Sequence, residues 1–192
     1  GALLLSTRFI PRFGLQRGIA FSIFHAVSAF CNAGFDLMGY EEAYASLVSF
    51  EGDVLVNMVV MFLILTGGIG FIVWDDLMRN KWHFKKYLLH TKIVLTFTIG
   101  LTVIATIVFL VLESHGVLAG LTPVEKALGA AFCSVTPRTA GFNTTDVAGL
   151  SNAGKMLTIL LMFIGGSPGS TAGGAKTTTI VVLLLYAVAM IR

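Results

Sequence analysis

The sequence predicts an all-α membrane protein made of repeated units, each a spanning helix, a short helix, a glycine-bearing turn and a second spanning helix. Three observations carry this expectation. The 192 residues are 56% hydrophobic and only 12% charged, with a mean hydropathy of +0.87. A soluble domain carries about 25% charged residues, so this chain lacks the polar groups to cover its own surface in water, and lipid is the expected solvent. Long apolar runs alternate with apolar segments too short to cross a bilayer. The string Ala-Gly-Phe follows two of those short segments, at Ala33 to Phe35 and Ala140 to Phe142.

The chain opens on Gly1-Ala-Leu-Leu-Leu5, which reads as the tail of a first spanning helix (M1) and so as one piece of a longer polypeptide. Arg8, Arg12 and Arg17 follow this apolar stretch instead of preceding it, which does not match a signal peptide. Residues 19–31 form the first short segment, about 20 Å long as a helix against a hydrocarbon core of about 30 Å. Asn32, Ala33, Gly34 and Phe35 follow as a turn. The charged residues from Asp36 to Asp53 (Asp36, Glu41, Glu42, Glu51, Asp53) are all acidic. Around Glu41 and Glu42 they would raise the local cation concentration.

Residues 53–74 are expected to form a spanning helix (M2) about 33 Å long. The loop 75–92 carries Arg79, Lys81, Lys85, Lys86 and Lys92 against Asp75 and Asp76, a basic excess that places it in the cytoplasm. Arg8, Arg12 and Arg17 then fall on the outer side, a misfit to the same rule. Residues 93–112 hold no charge and form the next spanning helix. Residues 123–135 are the second short helix, started by Thr122 as N-cap, Pro123 and Glu125 in a capping box, and stopped at Thr136-Pro137. Thr139, Ala140, Gly141 and Phe142 are its turn.

The last apolar stretch, a second M2 over 154–191, is too long for one span: Met156 to Ile191 alone would run about 54 Å as a straight helix. Its middle reads Gly165, Gly166, Ser167, Pro168, Gly169, Ser170, Thr171, Ala172, Gly173, Gly174, Ala175, Lys176. Five glycines and a proline in ten residues do not hold a helix. Two half-helices joined by an irregular loop are expected, and at membrane depth such a loop must face protein or water.

The order short helix, Ala-Gly-Phe turn, polar loop, long apolar helix thus occurs twice, dividing the chain into 1–80 and 81–192. Asn32 and Thr139 stand 107 residues apart. Repeats of this size often surround an axis with the ligand site between them. Successive backbone carbonyls can replace the water shell of a potassium ion, and glycine permits the dihedrals that aim them. That role falls to Gly34 and Gly141. The 165–176 loop reads as a movable barrier in the pore, with Lys176 repelling cations unless paired or displaced.

Two other readings stay open. Gly169 to Thr177 approaches a phosphate-binding loop, although Ala175 stands where that motif needs glycine and no strand precedes it. A membrane subunit binding nucleotide at 165–177, or a purely structural subunit, are therefore alternatives. No catalytic constellation is present, so no enzyme and no cofactor are expected. The net charge of +3 gives no reason to expect nucleic acid. Cys31 and Cys133 read as small buried residues, His25 and His115 as lone histidines, and His83 and His90 as solvated.

The segments Phe24 to Asp36, Thr136 to Thr144 and Gly165 to Lys176 together resemble the Trk/Ktr/HKT superfamily of potassium transporters, and within it the bacterial Ktr membrane subunit. The resemblance implies four pore repeats in one polypeptide, of which this chain holds the end of the second and nearly all of the third. It implies that 32–35 and 139–142 are two of four potassium-binding filter segments, and that 165–176 obstructs the pore below them. It further implies potassium uptake, often sodium-dependent, through a homodimer in the cytoplasmic membrane, seated on a ring of nucleotide-binding regulatory subunits. The first and fourth filter segments are absent from this sequence.

Overall fold

The computed structural model describes residues 1–40, 45–81 and 83–191. Regular structure among them is helical, apart from one isolated parallel bridge between Ile164 and Ala175. Eight α-helices occur in order: α1 (Ala2–Phe13), α2 (Leu15–Phe30), α3 (Val54–Gly68), α4 (Phe71–Asn80), α5 (Leu89–Glu113), α6 (Pro123–Val135), α7 (Asn152–Phe163) and α8 (Thr177–Ile191). Glu41 and Glu42 of the expected acidic outer loop lie outside the described residues.

α1 and α2 form a hairpin around Gly14, whose φ of 79° ends one helix and starts the next. α2 thus starts four residues before the expected 19 and ends at Phe30. At 16 residues it is about 24 Å long and still short of a bilayer core. Gly18 lets the hairpin close: a β-carbon there would lie 2.6 Å from the Cα of Ile10. Leu5 and Phe9 bury completely in the cluster this makes with Ala29, Val56, Val60 and Ile64.

The expected single helix over 53–74 is corrected by the structure. α3 starts where expected, with Asp53 Oδ1 accepting the amides of Leu55 and Val56, but ends at Gly68, and α4 leaves at 95° to it. Gly70, at φ 88°, makes the corner. Within 69–74, Ile69 and Val73 bury against Val94 of α5, while Phe71 and Ile72 stay exposed. The other acidic oxygen of Asp53 forms a 3.0 Å ion pair with Arg8.

α5 is the longest element, 25 residues and about 38 Å. Among the described residues it is the one unbent helix long and apolar enough to cross a membrane. Asp76 starts it, accepting from the amide of Leu88 at 2.9 Å. α6 matches its expected bounds, and its capping box between Thr122 and Glu125 is formed. It lies between the two halves, with Leu128, Phe132 and Val135 in the cluster of α1 to α3, and Ala130 and Cys133 in a second cluster with Phe109 of α5 and Leu161 of α7. α7 and α8 are the two half-helices, and the irregular segment between them is the glycine-rich one.

Cys31 is exposed, contrary to expectation, whereas Cys133 is buried beside Thr145 Oγ1 at 3.2 Å. His83 is exposed, but His90 is half-buried within α5, which starts before it.

Candidate functional site

The two Ala-Gly-Phe turns, more than a hundred residues apart in sequence, meet backbone to backbone. A β-carbon on Gly34 would come within 2.4 Å of the Ala140 carbonyl oxygen, and one on Gly141 within 3.2 Å of the Gly34 Cα. Both glycines have positive φ, 70° and 85°, and so do Asn32 and Thr139 two residues before them, at 50° and 70°. Matching left-handed dihedrals at matching positions show that the repeat extends to backbone conformation. A non-glycine residue in this region costs roughly 1–2 kcal/mol, so Asn32 and Thr139 are held there by their surroundings.

Each turn is fastened by its own short helix. Ser28 Oγ donates to the carbonyl of Phe35 at 2.7 Å, and Thr136 Oγ1 donates to the carbonyl of Phe142. The C-terminal ends of α2 and α6, the negative ends of their dipoles, adjoin the turns directly. The two phenylalanines differ. Phe142 is fully buried, its ring centroid 6.2 Å from that of His25 on α2, whereas Phe35 is 69% exposed. His25, a lone histidine in the sequence, braces this region: Nδ1 donates to Phe21 O at 2.7 Å, and Nε2 accepts the amide of Leu37. A cavity of about 420 Å³ opens against both turns, lined by Ala33, Thr139, Ala140 and Gly141 together with Thr158 and Met162 of α7.

The segment 164–176 folds back on itself and docks on the corner between α3 and α4. Its ends pair through Gly165 N to Ala175 O at 3.0 Å and Ala175 N to Phe163 O at 3.2 Å. Gly165 permits this, since a β-carbon there would lie 1.7 Å from Gly173 O. The amides of Ser167 and Thr171 donate to Gly68 O and Gly67 O, and Phe71 N donates to Gly169 O. The carbonyls freed where α3 stops are thereby satisfied by the loop, and the break in one half of the chain receives the loop of the other. A helix end left unpaired in an apolar setting would be costly, so the two irregularities stabilise each other.

Thr171 links this loop to the first turn. Its hydroxyl accepts from Asn32 Nδ2 and donates to Phe30 O. Gly173 passes close to the second turn, 3.8 Å separating Thr139 Cγ2 from a β-carbon built on it. Lys176 is half-buried, and its Nζ donates to Ala172 O at 2.7 Å, so its charge is turned onto the loop itself. A phosphate cradle needs free amides, and those of Gly165, Ser167, Thr171, Ala175 and Thr177 already donate to protein carbonyls. Among the described residues, no group of three or more His, Cys, Asp or Glu side chains could hold a metal ion.

Two buried charged residues escaped the sequence reading. Glu113, at the C-terminal end of α5, accepts from Ser151 Oγ at 2.6 Å and Ser151 N at 3.1 Å, which ties the end of α5 to the start of α7. Arg138, between α6 and the second turn, is 6% exposed, and its Nη2 reaches Thr98 Oγ1 at 3.5 Å. An arginine directly after a short apolar helix is itself a signal, because a buried ionisable group is expensive and marks function or packing.

The profile of a family described as TrkH, Cation transport protein, matches residues 6–192. The Potassium/sodium uptake protein NtpJ of Enterococcus hirae is 49% identical over 172 residues, covering 89% of this chain and 37% of that protein. The Ktr system potassium uptake protein B of Bacillus subtilis is 45% identical over 172 residues, covering 88% of the chain and 37% of that protein. The chain therefore spans little more than a third of the curated relatives it matches. The crystal structure of the potassium transporter TrkH from Vibrio parahaemolyticus superposes on all of this chain, over 46% of its own length, with a TM-score of 0.69 and 19% identity. That likeness shows a shared helical fold.

Proposed function

Because the chain belongs to the TrkH family of cation transport proteins, we propose that it contributes two of the filter segments through which potassium enters the cell. In this reading Asn32 to Phe35 and Thr139 to Phe142 present backbone carbonyls in place of the ion's water shell, and 165–176 is the gate beneath them. The units 1–80 and 81–192 are successive pore repeats. The observation that carries the reading is the approach of Gly34 to Gly141, both with positive φ. Two turns with the same backbone conformation, meeting at the ends of short helices, support the reading of an axis between repeats. The docked loop, fixed to Asn32 through Thr171, supports the gating role.

A protein that moves an ion needs no resident cofactor, and the potassium ion is cargo. The whole polypeptide, a multi-pass protein of the cytoplasmic membrane, would supply the remaining repeats and the contacts with lipid. Dimerisation, a cytoplasmic nucleotide-binding ring and sodium dependence belong to this proposal as expectations from the resemblance. The alternative of nucleotide phosphate held at 165–177 has little support, given that the amides of Thr171, Ala175 and Thr177 already donate to protein carbonyls.

The test is isotope uptake by cells lacking their own potassium systems, expressing the complete protein with Gly34→Ser or Gly141→Ser. Weakened discrimination of potassium from sodium at normal expression supports the filter reading. Unchanged selectivity in both variants defeats it.

A further inference from the structure

Asn32 and Arg138 share an unmet need. The Nδ2 of Asn32 is committed to Thr171, which fixes the amide orientation, and its Oδ1 is buried with no hydrogen-bond partner. Arg138 has five N–H donors, yet Nε and Nη1 are likewise buried and unpartnered. Each buried polar group left unpaired costs about 1–3 kcal/mol, and more when charged. Both residues line one small cavity of about 10 Å³, whose wall also includes Thr98, Val135, Gly166 and Ala172. Because the unpartnered atoms are buried by this chain's own residues, lipid or a further polypeptide could reach them only if the packing opened.

We propose that one ordered water molecule occupies this cavity, donating to Asn32 Oδ1 and accepting from the guanidinium of Arg138. The complement is chemical: the side chains that carry the unpaired acceptor and the unpaired donors both line a space of about the size one water requires, about 10–15 Å³ with two or more polar partners. The water joins the first turn to the residue that precedes the second. Gly166 and Ala172 form part of its enclosure, so the site is complete only while the 165–176 loop is docked. The inference stands whether or not the turns conduct ions.

The experiment is a density map of the complete protein in lipid nanodiscs, at a resolution that shows ordered water. A single peak within hydrogen-bond distance of Asn32 Oδ1 and the Arg138 guanidinium is the expected result. An empty cavity, or a direct Asn32–Arg138 hydrogen bond, overturns the proposal. A second measurement uses Ala172→Val, whose added methyls fill the space and expel the water. It should lower the melting midpoint in the natural sequence and lower it clearly less beside Arg138→Met, where no guanidinium demands hydration. An equal penalty in the two backgrounds also overturns it.

Discussion

Asn32 Nδ2 donates to the hydroxyl of Thr171 across 2.8 Å, and the same hydroxyl donates to the carbonyl of Phe30 across 3.0 Å. One side chain of the glycine-rich loop thus holds both the first turn and the end of the helix that leads into it. Thr171→Val keeps the shape and removes both bonds. At about 1 kcal/mol per net hydrogen bond, the docked form should lose roughly tenfold or more in population relative to the undocked one. If the loop gates the pore, uptake by the complete protein rises; unchanged flux at equal expression argues against a latch at Thr171.

Gly34 and Gly141 should not be equally sensitive. Alanine at either position meets the left-handed penalty of roughly 1–2 kcal/mol. At Gly34 the new methyl also meets Ala140 O at 2.4 Å, an overlap that backbone must relieve, whereas at Gly141 the nearest atom stands at 3.2 Å. Gly34→Ala is therefore expected to lower the melting midpoint of the complete protein more than Gly141→Ala. Melting curves in detergent give the comparison, and the reverse order would contradict the described approach of the turns.

Glu113 and Ser151 form a second cross-link. Glu113→Gln keeps the volume but removes the charge and turns an amide toward donors, at a cost of about 1–3 kcal/mol. Ser151→Ala should cost a similar amount, and the two together less than their sum, since one weakens and the other removes the same 2.6 Å bond. A double-mutant cycle in thermal stability measures this; strict additivity would mean the contact contributes nothing.

Asp76 of α4 makes stability depend on acidity where α5 starts. The neighbouring Thr91 hydroxyl, and then the Leu88 amide and Asn80 side chain, hold its carboxyl below the ordinary aspartate range. A depressed folded value means the contribution is complete above the unfolded value, near pH 4, and is lost as pH falls through the lower folded value. Midpoints measured from pH 6 down to pH 3 should fall less steeply in Asp76→Asn than in the natural sequence.

Much of the fold was legible because its signals are local. The capping box at Thr122 and Glu125, the uncharged run 93–112 and the glycine cluster at 165–174 each announce one element, and each formed within a few residues of its expected bounds. The corner at Gly70 was not legible, since 58–74 is apolar but for Thr66 and hydropathy does not separate a straight span from a helix that turns to bury Val73. What decided it is tertiary: Gly67 packs so tightly on the first turn's helix that a β-carbon would lie 1.8 Å from Phe30 O, and the freed carbonyls find their partners about a hundred residues later. Glu113 and Arg138 were passed over for the same reason. A single charge at a helix end or before a turn looks solvated until its partner, Ser151 or Thr98, is brought beside it.

The seating of Phe142 against His25 has an architectural corollary. The contact has a polarity: the turn of the later unit inserts a ring into the helix hairpin of the earlier one, with no reciprocal insertion. Phe35 occupies the same station in the earlier unit, and its ring stands 69% exposed. A joint of this head-to-tail kind propagates by rotation, and it ends without a spare ring only by closing into a circle. If 1–80 and 81–192 are successive pore repeats, the exposed Phe35 ring is the one left to seat on a further unit, and its protection from hydroxyl-radical labelling in the assembled protein would report whether the circle is shut.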